Sequence, residues 1–404
     1  MKPSIFKQVE AYQVPAPLLR ASPRHWNPGL LRHEGRLWLA YRHHRREAGQ
    51  RCGVAICPLD DQFRPSEKSQ FLRFIGATGT EHHEDCRLFM FRGEPHISYT
   101  EMRGYRPGID YTCVVKYARL AIDKKGRWQV KEEFHPQYGR NGGFAKEKNW
   151  VFFERNDKLY CIYSTQPQHV ILEIDGHKVV GQPIISPEPV WHWGAIRGGT
   201  PPVWIGDRWL VVFHSSIPTE VAPHFVRYYA GAYTFEADAP HRILQISESP
   251  IMAGSEEDGH QVDPRYVDGW KPYVVFPCGL ETEPDGKFLV SLGVNDWQCV
   301  VARMTLDQMR LGSADGSSFK HRYFKVKNGT IDVKLVDQSR RIQFLPWKIF
   351  RPGRCGAAGL GYMRVTDARQ AAEAAEHPGA QEITESEYKM AEKGLPYNPT
   401  MTVG

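Results

Sequence analysis

The stretch HEDCRLFMFRGEPHISYTEM, residues 83–102, decides the fold. It has a charged entry, an apolar run, a turn at Arg92-Gly93 and a second run that ends in aromatic and polar residues. Short β-branched and aromatic runs around a glycine-bearing turn are typical of a β-hairpin. The stretch therefore predicts two antiparallel strands, with the acidic residues Glu84 and Asp85 at the start of the first.

Four other segments repeat this layout and predict hairpins that turn at Glu34-Gly35, Asn156-Asp157, Gly206-Asp207 and Asp285-Gly286. Their second strands end roughly 50 to 80 residues apart, which leaves room for one four-stranded sheet per unit. Repeated units of this length predict an all-β fold, a five-bladed β-propeller over residues 1–310. A pair of packed β-sheets is the structural alternative. The segments are WNPGLLRHEGRLWLAYRHH (26–44), KNWVFFERNDKLYCIYSTQP (148–167), GGTPPVWIGDRWLVVFHSS (198–216) and VVFPCGLETEPDGKFLVSLGVND (274–296).

The pattern changes near residue 310, and we expect residues 311–404 to form a small C-terminal α/β extension packed on the propeller. Runs at 324–335 and 340–350 resemble strands. Residues 366–379 predict a helix that ends at Pro378-Gly379. A second helix is predicted to start at Thr384, because Thr384 and Glu387 have the spacing of a capping box, and to end before Gly394.

Composition sets limits on partners and compartment. The chain has 404 residues, a net charge of +6 and 12% aromatic residues, without a dense Lys/Arg block. The mildly positive net charge permits an anionic partner. Nucleic acid is not excluded as that partner, although no nucleic-acid-binding motif is present in the sequence. The eight cysteines form no CxxC pair, so we expect no metal site and reduced core thiols. No signal peptide or membrane span is indicated, so we expect a cytoplasmic protein; the oligomeric state is not indicated.

Polar residues recur where the predicted hairpins begin and end, and in a propeller those positions converge on the central funnel. Carboxylate, amide and guanidinium groups bind sugar hydroxyls, and glycosyl transfer requires a proton donor to the leaving oxygen. Asp85 and Asp296 could hold and protonate a sugar, while the cationic groups could bind phosphate or a sugar phosphate. Taken singly, each has a plainer explanation as a turn, a surface ion pair or a buried histidine. The residues are Asn27, Arg42, Glu84, Asp85, Arg87, Lys148, Asn149, Arg197, His214 and Asp296.

The ordered motifs resemble glycoside hydrolase family 130, the β-mannoside phosphorylases and β-mannosidases built on a five-bladed propeller, and the related β-1,2-mannosyltransferases. Each motif is weak alone, but the set follows the family's order over roughly residues 25–305. The motifs are NP at 27–28, YR at 41–42, EDxR at 84–87, GGTPP at 198–202, FH at 213–214, YxxG at 228–231, FPCG at 276–279 and GVND at 293–296.

The resemblance implies roles for these residues. Asp85 would be the general acid, and its proton would pass through a hydroxyl of the bound sugar. Asn27, Arg42 and Asp296 match family positions that hold the sugar, and His214 and Tyr228 match positions near the phosphate. From their residue type and position alone, we add Glu84 and Arg87 to the predicted substrate-binding residues. On the same ground we add Lys148 and Arg197 to the predicted anion- or phosphate-binding residues. The resemblance implies inorganic phosphate as a possible co-substrate, and no cofactor is expected.

Two departures concern the phosphate. Ser164 stands where the family's phosphorylases carry arginine, and Ala195 where they carry lysine; Lys146 or Lys148 could supply charge instead. The leading prediction is an inverting glycosidase or phosphorylase that cleaves or forms a β-mannoside-like bond. A glycosyltransferase using a sugar nucleotide or sugar phosphate, and a non-catalytic carbohydrate-binding propeller, are the alternatives. Hydrolysis would need a second carboxylate, for which Glu281 and Glu283 are candidates.

Overall fold

The structure is a computed structural model, and it is almost entirely β within the residues it describes. Those residues fall into two compact units, one of residues 1–189 with 195–314 and one of 190–194 with 315–404. The described residues are 4–15, 25–45, 51–77, 82–103, 112–138, 147–218, 226–259, 273–316, 322–327, 360–365, 375, 380–384 and 386–387.

Five antiparallel sheets form the first unit. Sheet 1 contains β2 (His25–His33), β3 (Arg36–Arg45), β4 (Arg51–Leu59) and β5 (Gln70–Phe71). Sheet 2 contains β6 (His82–Phe91), β7 (Glu94–Arg103), β8 (Thr112–Ile122) and β9 (Trp128–Phe134). Sheet 3 contains β10 (Val151–Arg155), β11 (Lys158–Ser164), β12 (Gln168–Asp175) and β13 (Lys178–Pro187).

The fourth and fifth sheets depart from this simple meander. Sheet 4 contains β14 (Ala195–Arg197), β15 (Val203–Trp204), β16 (Arg208–Pro218), β17 (Val226–Glu236), β18 (Ile243–Ser247), β19 (Met252–Ala253) and β23 (Leu311–Ser313). Sheet 5 contains β20 (Val275–Thr282), β21 (Phe288–Val294), β22 (Gln298–Met304) and β1 (Glu10–Gln13). Because β1 pairs antiparallel with β22, with Glu10 opposite Arg303 and Gln13 opposite Val300, an N-terminal strand completes a sheet whose other strands come near the end of this unit. Helical segments here are short: one α-turn at Ile5–Gln8 and 3₁₀ turns at Glu256–Gly259 and Asp307–Met309.

All five predicted hairpin turns are present at the predicted residues. At Glu34-Gly35, Arg92-Gly93 and Asn156-Asp157 both turn residues have positive φ, between 50° and 73°. Two consecutive left-handed residues give a turn whose twist matches that of the flanking strands, which explains the glycine, asparagine and aspartate at these places.

Each sheet packs against the next, and the fifth packs against the first. The contacts between neighbours are apolar, as expected for β-sheets that bury both faces. Ring contacts join Tyr117 to Phe152 (sheets 2 and 3) and Phe153 to Trp209 (sheets 3 and 4). Shared buried clusters contain Ile56 with Leu88 (sheets 1 and 2), Val212 with Val275 (4 and 5) and Leu289 with Leu39 (5 and 1).

The first strands of sheets 1, 2 and 5 share an irregularity. Their register with the next strand shifts between Trp26 and Gly29, between Glu84 and Arg87, and between Pro277 and Gly279. A β-bulge of this kind inserts an extra residue and redirects the side chains around it. The bulges therefore fall at the same level of three different sheets.

The second unit contains a further sheet, in which β24 (Arg322–Lys327) lies between β25 (Leu360–Val365) and β26 (Ala380–Ile383). The predicted capping box is present, since Glu387 N donates to Thr384 Oγ1 at 3.2 Å and Thr384 N donates to Glu387 Oε2 at 2.7 Å. The strand predicted at 340–350 lies outside the described residues, as does the helix predicted at 366–379 except for residue 375, which is helical.

The seven cysteines within the described ranges are buried and free, as predicted. No helix in these ranges is long and apolar enough to cross a membrane.

Candidate functional site

Asp85 and Asn27 sit on the bulges of β6 and β2, and both have left-handed backbone, with φ of 56° and 51°. Asparagine and aspartate tolerate this region better than other residues with a side chain, although it still costs free energy. Strained backbone of this kind tends to occur where a fold holds a side chain in a required direction. Both side chains are buried, and Asn27 Nδ2 donates to Asp85 Oδ1 at 2.8 Å.

Gly293 of β21 packs against the other side of the Asn27 amide. A Cβ added at Gly293 would lie 2.0 Å from Asn27 Oδ1, far inside van der Waals contact. Only glycine therefore fits between β21 and this amide. Three sheet positions, from β2, β6 and β21, thus fix the carboxylate of Asp85.

Arg42 connects the two adjacent acids. Its Nη2 lies 2.7 Å from Glu84 Oε2, and its Nη1 lies 3.7 Å from Asp85 Oδ1. The guanidinium also lies over the ring of Trp26, 4.6 Å from the centroid, so that one face is shielded by an aromatic residue. Arg42 is thereby held by Trp26 and Glu84 while it faces Asp85.

Glu84 is almost fully buried and lies between two cations. Its second oxygen, Oε1, accepts a hydrogen bond from Lys148 Nζ at 2.5 Å. Lys148 was predicted to bind an anion, and the structure shows that its charge is already compensated by Glu84. Buried charges require such pairing, because desolvation penalises an isolated one.

Arg87, which the sequence predicts as a substrate-binding residue, is buried and donates to the protein itself. Its Nε donates to Gly199 O at 2.5 Å and its Nη1 to Asp85 O at 2.8 Å. Its Nη2 donates to Asn149 Oδ1 at 3.3 Å and Gly198 O at 3.4 Å. Arg87 therefore fixes the backbone of Asp85 to the glycine loop of sheet 4, and its described contacts are structural.

His214 and Arg197 form a second group, directly opposite each other in the register of β16 and β14. The buried ring of His214 stacks on Tyr228, with centroids 5.7 Å apart, and lies 4.3 Å from the ring of Phe276. Burial, and then the charges of Arg197 and Arg87, hold the pKa of His214 well below its usual value. His214 is therefore neutral at physiological pH, and its Nδ1 has no hydrogen-bond partner among the described residues.

Asp296 follows β21, where Asn295 and Asp296 both have left-handed backbone with φ of 54° and 51°. Burial alone would lower the pKa of Arg42, but Cys52, Glu84, Asp85 and Asp296 together raise it. Asp296 is thus close enough to Arg42 for its charge to act on the guanidinium, and it is half-buried.

The protonation state of Asp85 follows from these neighbours. Burial alone would raise the pKa of Asp85, but Arg42, Lys148 and Arg87, together with the amide of Asn27, hold it below its usual value. In the unliganded protein Asp85 is therefore a carboxylate at neutral pH. It can accept a hydrogen bond from a bound hydroxyl, and at neutral pH it gains a proton only when a ligand weakens these contacts.

The predicted site residues thus form two groups. The first is a network of Asn27, Arg42, Glu84, Asp85, Lys148 and Arg87, with Asp296 near it. The second is the pair of His214 and Tyr228, with Arg197 beside it.

The two carboxylates that the sequence offered as a catalytic base contact other residues. Glu283 pairs with Arg303 at 2.7 and 2.9 Å, and Glu281 Oε1 accepts from Arg32 N at 3.0 Å. Sequence reasoning missed Trp26, although a tryptophan directly before Asn27 was a usable signal. No group of three or more metal-ligating side chains occurs in the parts of the chain that the structure describes.

A family profile described as beta-1,4-mannooligosaccharide phosphorylase matches residues 9–311. The chain belongs to glycoside hydrolase family 130. Members of this family are glycoside hydrolases and phosphorylases, so this chain is an enzyme that acts on mannoside bonds. The match spans the first structural unit and contains every residue of the network described above.

Solved structures share the fold at low sequence identity. A β-1,2-mannobiose phosphorylase from Listeria innocua is 16% identical and has a TM-score of 0.50, with 76% of this chain and 94% of that one covered. A glycosyl hydrolase from Bacteroides ovatus is 14% identical, with a TM-score of 0.51 and coverage of 73% and 87%. A family member described among glycoside hydrolases that target β-1,2-mannosidic linkages in Candida mannan gives the same four values. No curated protein sequence matches this chain.

Proposed function

We propose that this family member cleaves β-mannosides with inversion, and that Asp85 is the group that handles the proton. The observation that carries the proposal is the buried carboxylate of Asp85, placed on a left-handed bulge and contacted by Asn27 at 2.8 Å and Arg42 at 3.7 Å. We further propose that the five sheets are the blades of a propeller. The cyclic packing of sheet 1 to sheet 5 and back to sheet 1 supports this, as does the inclusion of β1 in sheet 5.

Inverting cleavage needs a proton on the leaving oxygen and a nucleophile on the opposite face of the sugar. In the proposed mechanism a sugar hydroxyl replaces Arg42 as the main partner of Asp85. With that cation displaced and bulk water removed from around Asp85, its pKa rises, so the carboxylate takes up a proton from solvent and passes it through the hydroxyl to the leaving oxygen. The water that attacks on the opposite face of the sugar gives its proton to solvent. Arg42 and Asp296 then hold the same sugar, which their position beside Asp85 supports.

The identity of the acceptor depends on the charges near His214. Lys148 is paired with Glu84, His214 is neutral, and Arg197 is exposed. Ser164 has no charge to offer, and its Oγ donates to Gln168 O at 2.9 Å. Arg87, whose charge also acts on His214, donates to the backbone carbonyls of Gly199 and Asp85. This shortage of available donors supports an acceptor other than inorganic phosphate, so we propose that water takes the sugar.

Product analysis tests the acceptor. Wild-type protein is incubated with β-1,2-mannobiose and β-1,4-mannooligosaccharides, with and without inorganic phosphate, and the products are followed by NMR. The proposal predicts free mannose at a rate independent of phosphate, released first as the inverted α-anomer. Mannose 1-phosphate formed only when phosphate is present would overturn the choice of water while leaving the role of Asp85 intact.

A glycosyltransferase is the second candidate function. It is favoured by one observation: within the described residues, neither Glu281 nor Glu283 contacts the Asp85 network, so a base for activating water is not identified. Consumption of a sugar nucleotide or sugar phosphate donor in the presence of mannose, with a new disaccharide as product, would select this candidate. Hydrolysis of mannobiose without any donor would reject it.

Two further proposals concern the domain boundaries and the cellular location. We propose residues 1–310 as the catalytic domain and 311–404 as an extension, in line with the unit boundary after Ala314. A cytoplasmic location is retained as a proposal on the evidence of seven buried free thiols.

A further inference from the structure

A cavity lies toward the hairpin turns of the same strands that carry the Asp85 network. Its volume is about 430 Å³, and sheets 1 to 5 each contribute to its wall, for example through Leu31, Met90, Phe152, Trp204 and Glu281. On β6, Met90 comes five residues after Asp85. At about 3.3 Å per residue, this wall lies about 16 Å along the strand from the proposed catalytic carboxylate.

One side of this turn-end cavity is aromatic. Trp204 is 38% exposed despite its size, and its ring meets Trp209 edge-on at 5.2 Å. Arg155 lies over Trp204 at 5.0 Å from the centroid and is paired with Asp238 Oδ1 at 3.0 Å. A large aromatic ring that a fold fixes and leaves open to a cavity offers a flat apolar face to a ligand.

The same cavity contains polar atoms with unused hydrogen-bonding capacity. Glu281 Oε1 accepts from Arg32 N at 3.0 Å and Glu154 Oε2 accepts from Arg92 N at 2.7 Å, which leaves the second oxygen of each without a partner among the described residues. Trp209 Nε1 is a buried donor that likewise has no acceptor in the described part of the chain. A buried polar group without a partner, such as the indole N–H, is rare. The two carboxylates are half-buried, so their free oxygens can accept from water or from a ligand.

These groups select a class of ligand. Two carboxylates, with Arg155 already paired to Asp238, disfavour an anion. Hydroxyl groups donate hydrogen bonds without carrying charge, so they can satisfy the free oxygens of Glu281 and Glu154. A pyranose ring also has a flat C–H face that packs on tryptophan. Burial raises the pKa of Glu281 to about 7, against the opposing effect of the Arg32 backbone N–H and charge, so this carboxyl can donate as well as accept near neutral pH.

We propose that the turn-end cavity is a second, non-catalytic saccharide site that binds a neutral mono- or disaccharide against Trp204 and Glu281. The choice of mannose-type sugars rests on the proposed function, whereas the assignment of a saccharide class rests on the cavity alone. Its volume lies within the usual range for small-molecule sites.

The test measures β-1,2-mannobiose and, separately, glucose binding to the full-length Asp85→Asn variant by calorimetry and by saturation-transfer NMR. Trp204→Ala and Glu281→Gln are added singly to that background, with Phe71→Ala as a control, because Phe71 is an exposed aromatic residue outside the cavity. We expect at least about tenfold weaker binding at one of two sites for both cavity variants and no change for the control. Trp204→Ala in the Asp85-containing enzyme should retain wild-type turnover.

Failure of this proposal is distinct from failure of the proposed function. A single binding site that Trp204→Ala leaves unchanged would overturn the second site, whatever the enzyme's activity. Binding of a cationic amine but of neither sugar would overturn the saccharide class. Sugar binding that depends on Trp204 in a protein inactive on all mannosides would support the second site and reject the proposed function.

Discussion

Replacement of Glu84 by glutamine removes the charge that holds Arg42 and Lys148 together. In the native protein the two carboxylate oxygens lie 2.7 Å from Arg42 Nη2 and 2.5 Å from Lys148 Nζ. Glutamine keeps the shape and one acceptor oxygen, but its NH₂ group would face one of the two cations. The variant therefore tests electrostatic compensation and leaves the volume of the site nearly unchanged.

The magnitude follows from burial. Loss of one partner of a buried ion pair typically costs about 3 to 5 kcal/mol, because the remaining charge is uncompensated. The side chain of Glu84 is 4% exposed, but those of Arg42 and Lys148 are 18% and 31% exposed, so water screens part of the remaining charge. We therefore expect a loss near the lower end, about 3 kcal/mol in the free energy of unfolding.

Urea unfolding, followed by tryptophan fluorescence, measures this loss. Glu67→Gln is the matched control, since Glu67 pairs with Arg36 at 2.5 Å but both side chains are about half exposed, and surface pairs contribute about 0 to 1 kcal/mol. A second replacement, Lys148→Met in the Glu84→Gln background, should restore part of the loss by removing one uncompensated charge. Equal costs for Glu84→Gln and Glu67→Gln, within about 0.5 kcal/mol, would refute the reasoning.

Three further predictions concern the same network. Asn27→Asp places a second carboxylate 2.8 Å from Asp85 Oδ1, and like charges raise a carboxyl pKa. Because Asp85 must be protonated to act as the acid, the alkaline limb of the pH–rate profile should move up by about one unit or more. Asn156→Asp, at an exposed turn, should leave that limb in place. Gly293→Ala puts a Cβ 2.0 Å from Asn27 Oδ1 and should reduce kcat by at least about tenfold. Gly35→Ala is the control, because nothing lies near its added Cβ; it should cost only about 1 kcal/mol in the free energy of unfolding and leave kcat unchanged. The pKa of Asp85 is lower in the folded protein than in the unfolded chain, so its contribution to stability is present above about pH 4 and is lost as the pH falls through the folded-state pKa. Asp85→Asn should therefore lose less free energy of unfolding than wild type between pH 5 and pH 3. Equal losses would contradict a lowered pKa for Asp85.

The hairpins were predictable because their signals are local. A glycine or asparagine pair between two apolar runs fixes a turn within a few residues, and all five turns lie where those pairs stand. The bulges at Asn27 and Asp85 were not predictable. They depend on close packing between strands of different sheets. At Gly29 of β2, for example, an added Cβ would lie 2.9 Å from the backbone nitrogen of Leu88 on β6.

The site was predictable by residue type but not by role. The charged residues at the hairpin entries do come together in the structure, since Asn27, Arg42, Asp85 and Lys148 contact one another directly or through Glu84. The sequence could not show that Arg87 donates to the carbonyls of Gly198 and Gly199 or that Lys148 is paired with Glu84, because those partners lie 64 to 112 residues away. Side-chain pairing across sheets is a property of the tertiary structure, and a single sequence contains no record of it.

The role of Asp85 is tested most directly by the initial rate of β-1,2-mannobiose cleavage for Asp85→Asn, compared with wild type and with Asp207→Asn, an exposed aspartate paired with Arg208. Removal of a group that transfers the proton in the transition state predicts a loss of about 10² to 10⁴-fold for Asp85→Asn and wild-type turnover for Asp207→Asn. A folded Asp85→Asn enzyme that cleaves mannobiose within a few-fold of the wild-type rate would contradict the account.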